Sequence, residues 1–123
     1  MNTDRELLEL AAKAAGLHID KSTTNGGGMR NTGFDMLGNA MLDWHNNVRW
    51  NPLTDDGDAL RLAVKLNIHL EFAGRPCAPV DRVQASPKGF GHLAYVAMYG
   101  GDPCAATRRA IVCAAAEIGK AMP

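Results

Sequence analysis

Three stretches of the chain repeat their apolar residues at helical spacing. In the first, Leu7, Leu8, Ala11, Ala14 and Ala15 fall on one face. Thr3 and Glu6 ahead of them form a capping box, and Gly16 supplies a left-handed stop. A second helix is predicted to start at Thr54 or Asp55, with Asp55, Asp56 and Asp58 where the positive end of the helix dipole favours carboxylates. Ala59, Leu60, Ala63 and Val64 make its expected buried stripe, widened by Leu62 and Leu66, and Asn67 ends it. A third helix opens at Asp102 with Pro103 in its first turn and is expected to close at Gly119. Its apolar face carries Cys104, Ile111, Ala115 and Ile118, flanked by Thr107, Arg108 and Val112, while Arg109 and Lys120 point away. Cys104 is therefore expected inside and Cys113 outside.

Between the second and third helices the period changes to two. Ile68, Leu70 and Phe72 alternate with His69 and Glu71, which predicts a half-buried strand. Val80 to Ala85 is more polar and reads as an edge strand. Leu93 to Tyr99 is apolar on both faces, so it calls for cover on both sides. Gly74-Arg75-Pro76 and Pro87-Lys88-Gly89 supply turns. The predicted fold is α+β, a small antiparallel sheet with helices on both faces in an α/β/α sandwich. Before the second helix the pattern is irregular. Gly26-Gly27-Gly28 marks a flexible loop around 22–33, Phe34 to Leu37 suggests a short strand, and Gly38, Asn39, Asn46 and Asn47 interrupt regular structure.

The chain has 123 residues, enough for one domain spanning 1–123. Thirteen basic and thirteen acidic side chains give zero net charge, which excludes the basic surface of a non-specific nucleic-acid binder. With 46% hydrophobic and 21% charged residues it is not an acidic disordered segment either. No apolar run approaches the ~18 residues that cross a bilayer. The charged start, with Asp4, Arg5, Glu6 and Glu9, does not read as a signal peptide, so a soluble cytoplasmic protein is expected. Cys77, Cys104 and Cys113 are an odd number without C-x-x-C spacing, and His18, His45, His69 and His92 lie far apart. Neither a disulfide framework, a metal centre nor a cofactor is expected.

The glycine run lacks the Lys-Ser/Thr ending of a phosphate-binding loop. No G-x-S-x-G nucleophile motif occurs, and the Asp55-Asp56 pair is explained by its place at a helix start. The densest constellation is Trp44-His45-Asn46-Asn47-Val48-Arg49-Trp50-Asn51-Pro52. Aromatic faces beside an arginine suit stacking on a base and pairing with a phosphate. Alternatively, Trp50-Asn51-Pro52 anchors the start of the second helix, and Trp44 fills the core. Arg108, on the flank of an apolar face, needs an anion, either an internal carboxylate such as Asp81 or a ligand phosphate. The candidate ligand-binding set is thus Trp44, His45, Arg49, Trp50, Asn51, Arg108 and Arg109. No catalytic residue is assigned.

The order of a first helix ending at Gly16, the stretch Trp50-Asn51-Pro52-Leu53-Thr54-Asp55-Asp56-Gly57-Asp58-Ala59-Leu60 and the closing Ala106-Thr107-Arg108-Arg109-Ala110-Ile111-Val112 resembles small proteins of tailed phages and prophages of the phage ABA sandwich type. The resemblance is specific in the second and third helices. It implies a three-layer fold and a phage accessory protein acting in the host cytoplasm, and it transfers no catalytic residues. By implication, the expected function is counter-defence binding: an oligomeric sponge that sequesters a small nucleotide-like immune signal. The alternatives are an anti-CRISPR-like inhibitor that docks on a host defence protein, or a weak nucleotide-cleaving enzyme with His45 or His92 as base. A homo-oligomer is also expected from zero net charge, which removes self-repulsion, and from the aperiodic apolar stretch of Met29, Phe34, Met36, Leu37, Met41 and Leu42.

Overall fold

A computed structural model of the chain describes residues 3–19, 33–74, 76–77, 79–87, 95–98 and 100–123. The expected glycine loop around 22–33 lies outside these residues, except for Gly33, as do Met29, His92 and the start of the strand expected from Leu93. The described residues form three helices and two small antiparallel sheets, an α+β fold with helices packed on a sheet.

Helix α1 spans Asp4–Ala14. Thr3 Oγ1 accepts from the Glu6 amide at 3.2 Å, as the capping pattern requires. At the other end Gly16 adopts φ +73°, so its amide donates to Lys13 O and that of Leu17 to Ala12 O, satisfying the last carbonyls. Leu7, Leu8, Ala11, Ala12 and Ala15 are buried, whereas Ala14 is half-buried.

Strands β1 (Ala40–Asp43) and β2 (Val48–Trp50) pair in an antiparallel hairpin. The two asparagines expected to interrupt structure here are its turn. Asn47 takes a left-handed φ of 57°, and the Asp43 carboxylate accepts from the amides of His45 and Asn46 and from Asn46 Nδ2. No strand covers the expected Phe34–Leu37 segment. Phe34 makes one bridge to Ala40, and the next residues turn around Asp35.

Helix α2 spans Asp56–Leu66, capped by Asp55 Oδ2 on the Asp58 amide at 2.8 Å and ended by Asn67 at φ 54°. Its buried face is narrower than the spacing predicts. Ala59, Leu62 and Ala63 are buried, but Leu60 and Val64 are 61% and 68% exposed. The helix leans on its neighbours through Ala59, Leu62 and Ala63 and leaves the Leu60–Val64 side open.

Strands β3 (His69–Ala73), β4 (Arg82–Ser86) and β5 (Tyr95–Met98) form an antiparallel sheet in that order. The strand expected at the edge, β4, is the central one. Antiparallel strands joined in succession place the middle one between its neighbours, and its polar Arg82, Gln84 and Ser86 share the face opposite fully buried Val83 and Ala85. Helix α3 (Pro103–Ala121) covers the Val83–Ala85 face. On the other face Val96 and Met98 of β5 and His69 and Glu71 of β3 are all exposed, so the cover expected on both faces of this sheet is found on one among the described residues.

Helix α3 is the hub, packed against α1, α2, β4 and β5. Asp102 caps it by accepting from the Ala105 amide at 3.0 Å. Ala106, Ala110, Ile111, Val112, Ala114, Ala115 and Ala116 are buried, so small residues on several sides let the neighbours approach. Gly119 does not stop the helix. It is buried within it, where a Cβ would run into the Leu10 carbonyl of α1. The cysteine expectations are reversed as well: Cys104 is exposed and Cys113 half-buried, because α1 covers the side of α3 taken to be open.

Candidate ligand-binding cleft

The stretch from Trp50 to Asp55 joins the hairpin to α2, and its geometry is fixed by one buried amide. Asn51 is 8% exposed. Its Oδ1 accepts from the Leu53 amide, its carbonyl accepts from the amides of Thr54 and Asp55, and its own amide donates to Asp58 Oδ2 at 3.0 Å. Nδ2 donates to Asn39 Oδ1 at 3.0 Å. A buried amide engaged on both its oxygen and its nitrogen sets the local chain path. Trp50 is 6% exposed and belongs to the core cluster.

The Asn51 contacts extend into a longer network. Asn39 Nδ2 donates to Asp35 Oδ2 at 3.0 Å, and the same oxygen receives Arg49 Nε at 2.9 Å. At the opposite end, Asp58 Oδ1 receives Arg61 Nη2 at 2.8 Å. A continuous line therefore runs Arg49, Asp35, Asn39, Asn51, Asp58, Arg61, with an arginine at each end. Burial pushes the Asp35 carboxyl up, but bonds from the Asn39 side chain, the Asn39 and Leu37 amides and Arg49 outweigh it and hold the group below its usual 3.8.

Both arginines open on one cleft of about 400 Å³ between the hairpin and α2. Ala15, Leu17, Leu42, Val48, Trp50 and Leu62 supply its apolar walls, and Arg49, Arg61 and Lys65 line it with Asp58, Arg49 being paired with Asp35 and Arg61 with Asp58 and, at 3.8 Å, Asp55. Apolar walls with a few converging charges are the ordinary make-up of a small-molecule site.

The structure brings only two members of the sequence-derived set, Arg49 and Trp50, to this cleft. Asn51 lies behind it as a support. Trp44 is half-buried and His45 exposed, both in the hairpin turn. Arg108 lines a different, apolar groove of about 350 Å³ between α2, β3 and α3. Its anion is Asp56, joined at 2.5 Å, with Nε on the Leu53 carbonyl, and Asp81 instead pairs with its neighbour Arg82. Arg109 pairs with Asp4 at 3.0 Å on the α1 side. Sequence reasoning missed Arg61 and Lys65. Their spacing of four residues on α2 places them on one face, but the hairpin opposite them was not foreseen. Among the described residues no three His, Cys, Asp or Glu side chains converge as metal ligands, and no helix is long and apolar enough to cross a membrane. Comparison with known protein families, with curated proteins and with solved structures returned no match.

Proposed function

We propose that this chain is a binding protein, not an enzyme, and that the cleft between β2 and α2 takes a small nucleotide-like anion. The observation that carries the reading is the hydrogen-bonded line from Arg49 to Arg61, which holds two guanidinium groups at the mouth of an apolar cleft. Guanidinium forks suit phosphate oxygens, and Lys65 adds a third positive charge. The walls of Leu17, Leu42 and Trp50 suit the flat apolar part of a nucleoside. Together with the resemblance to phage ABA sandwich proteins, this supports a phage counter-defence role in the host cytoplasm. There the chain, as a homo-oligomer, sequesters a nucleotide-derived immune signal.

A second reading, direct docking on a host defence protein, is favoured by Met36 and Leu37. They are 82% and 84% exposed on a turn that Asp35 holds in place through the Leu37 and Asn39 amides. Incubation with a panel of mononucleotides and cyclic dinucleotides, followed by removal of free ligand and heat release, separates the readings. Intact nucleotide in the released fraction supports sequestration, and cleaved nucleotide makes the chain an enzyme. No retained nucleotide moves the weight to Met36 and Leu37.

A further inference from the structure

Among the described residues the seam formed by α2 and β3 is unpartnered, and it lies on a different side of α2 from Arg61 and Lys65. Leu60 and Val64 are exposed along α2, and beside them Leu70 and Phe72 line the same grooves from β3, with Phe72 53% exposed. Among the described residues β3 pairs with β4 alone, so its other edge is open. Exposed apolar edge strands of this kind are templates for pairing with another chain.

We infer that the occupant is a second copy of this chain, with β3 paired antiparallel to its copy about a twofold axis at Leu70. The sequence of the strand is self-complementary in that register. His69 stands opposite the partner's Glu71 and Leu70 opposite the partner's Leu70. The neighbouring register, with the axis at Glu71, sets two carboxylates face to face, which cross-strand pairs disfavour. A twofold axis uses each favourable His69–Glu71 pairing twice, as isologous interfaces do. Within one protomer His69 and Glu71 sit on the same face, 4.0 Å apart and exposed, so both are presented to an incoming strand. The formal net charge of zero opposes no close approach of copies. The pairing gives the homo-oligomer of the proposed function its interface and uses none of the cationic residues of the cleft, so nucleotide binding and association fail separately. The apolar stretch first expected to mediate association is divided: Phe34 and Met41 are buried in their own domain.

Light scattering of the full chain over a concentration series tests the pairing. The expected mass is twice the 13.1 kDa protomer. Leu60→Lys and Phe72→Lys, both at exposed positions, keep the far-ultraviolet spectrum and return the protomer mass. His69→Glu or Glu71→Lys alone weakens association about tenfold, since each change disturbs two symmetric pairs. The double change His69→Glu with Glu71→Lys restores it. A protomer mass at every concentration overturns the inference, as does a dimer indifferent to Leu60→Lys and Phe72→Lys. A dimer that the double change fails to restore overturns the Leu70 register.

Discussion

The Arg108 guanidinium reaches from α3 to the backbone of Leu53, with Nε 2.8 Å from that carbonyl oxygen, while Nη1 holds Asp56. One side chain thus ties the last helix to the turn that starts α2. The Arg108 side chain is 17% exposed, whereas Asp56 is mostly in solvent, so the bond to the carbonyl is the better shielded half.

Arg108→Ala is expected to lower stability by about 2 kcal/mol, the scale of a hydrogen bond to a charged group. Arg108→Lys should recover only part of it, because an ammonium cannot span both acceptors. Urea unfolding measures both. Neither change should weaken nucleotide retention, since Arg108 lines a different groove from Arg49 and Arg61.

Gly119 sets the approach of α3 to α1. An added methyl group meets the Leu10 carbonyl, which is backbone and cannot swing aside. Gly119→Ala should therefore destabilise the fold by about 1–3 kcal/mol through overpacking, despite the better helix propensity of alanine. A melting temperature equal to or above that of the unaltered chain would contradict the close crossing.

Acid sensitivity should trace to Asp35 and, at the exposed hairpin turn, to Asp43. The Asn46 side chain first, then the Asn46 and His45 amides, hold the Asp43 carboxyl below 3.8, and Asp35 is held below the same value. A carboxylate lowered by folding contributes stability that is complete above its unfolded value and is lost as the pH falls through the folded one. Asp35→Asn should thus cost more stability near neutral pH than below pH 3.8. Equal losses at both ends, followed by denaturant unfolding, would remove Asp35 from the network.

The three thiols should differ in reactivity. Cys77 and Cys104 are exposed. Burial pushes the Cys113 thiol up, with Asp4 reinforcing the shift and Arg109 and Lys120 opposing it. Ellman's reagent should modify two thiols quickly and the third only slowly until denaturant is added. Three equal rates would contradict the packing of α1 over α3.

Helix ends were legible because each depends on a few neighbouring residues: Thr3, Gly16, Asp55, Asn67 and Asp102 all act as their types suggest. The role of Gly119 was not, since a glycine near a helix end reads as a stop unless the crossing helix is known. Leu60 and Val64 show the same limit. Periodicity marks an apolar stripe without saying which half of it a neighbour covers. The tryptophan-rich stretch did point to the cleft through Arg49 and Trp50, but the cations facing them come from α2. The supporting role of Asn51 was not legible, because its partners Asn39, Leu53 and Asp58 meet it only through the fold of the hairpin onto α2.

Calorimetric titration of the unaltered chain with cyclic dinucleotides and mononucleotides tests the ligand cleft most directly, alongside Arg49→Ala and Lys65→Ala. Saturable binding of at least one probe is predicted, weakened about tenfold or more by each change, as expected for loss of a charge-assisted phosphate contact. Lys65→Ala should leave the melting temperature unchanged, because its side chain is exposed. No binding of any probe, or binding that both variants preserve, would contradict the assignment of the cleft.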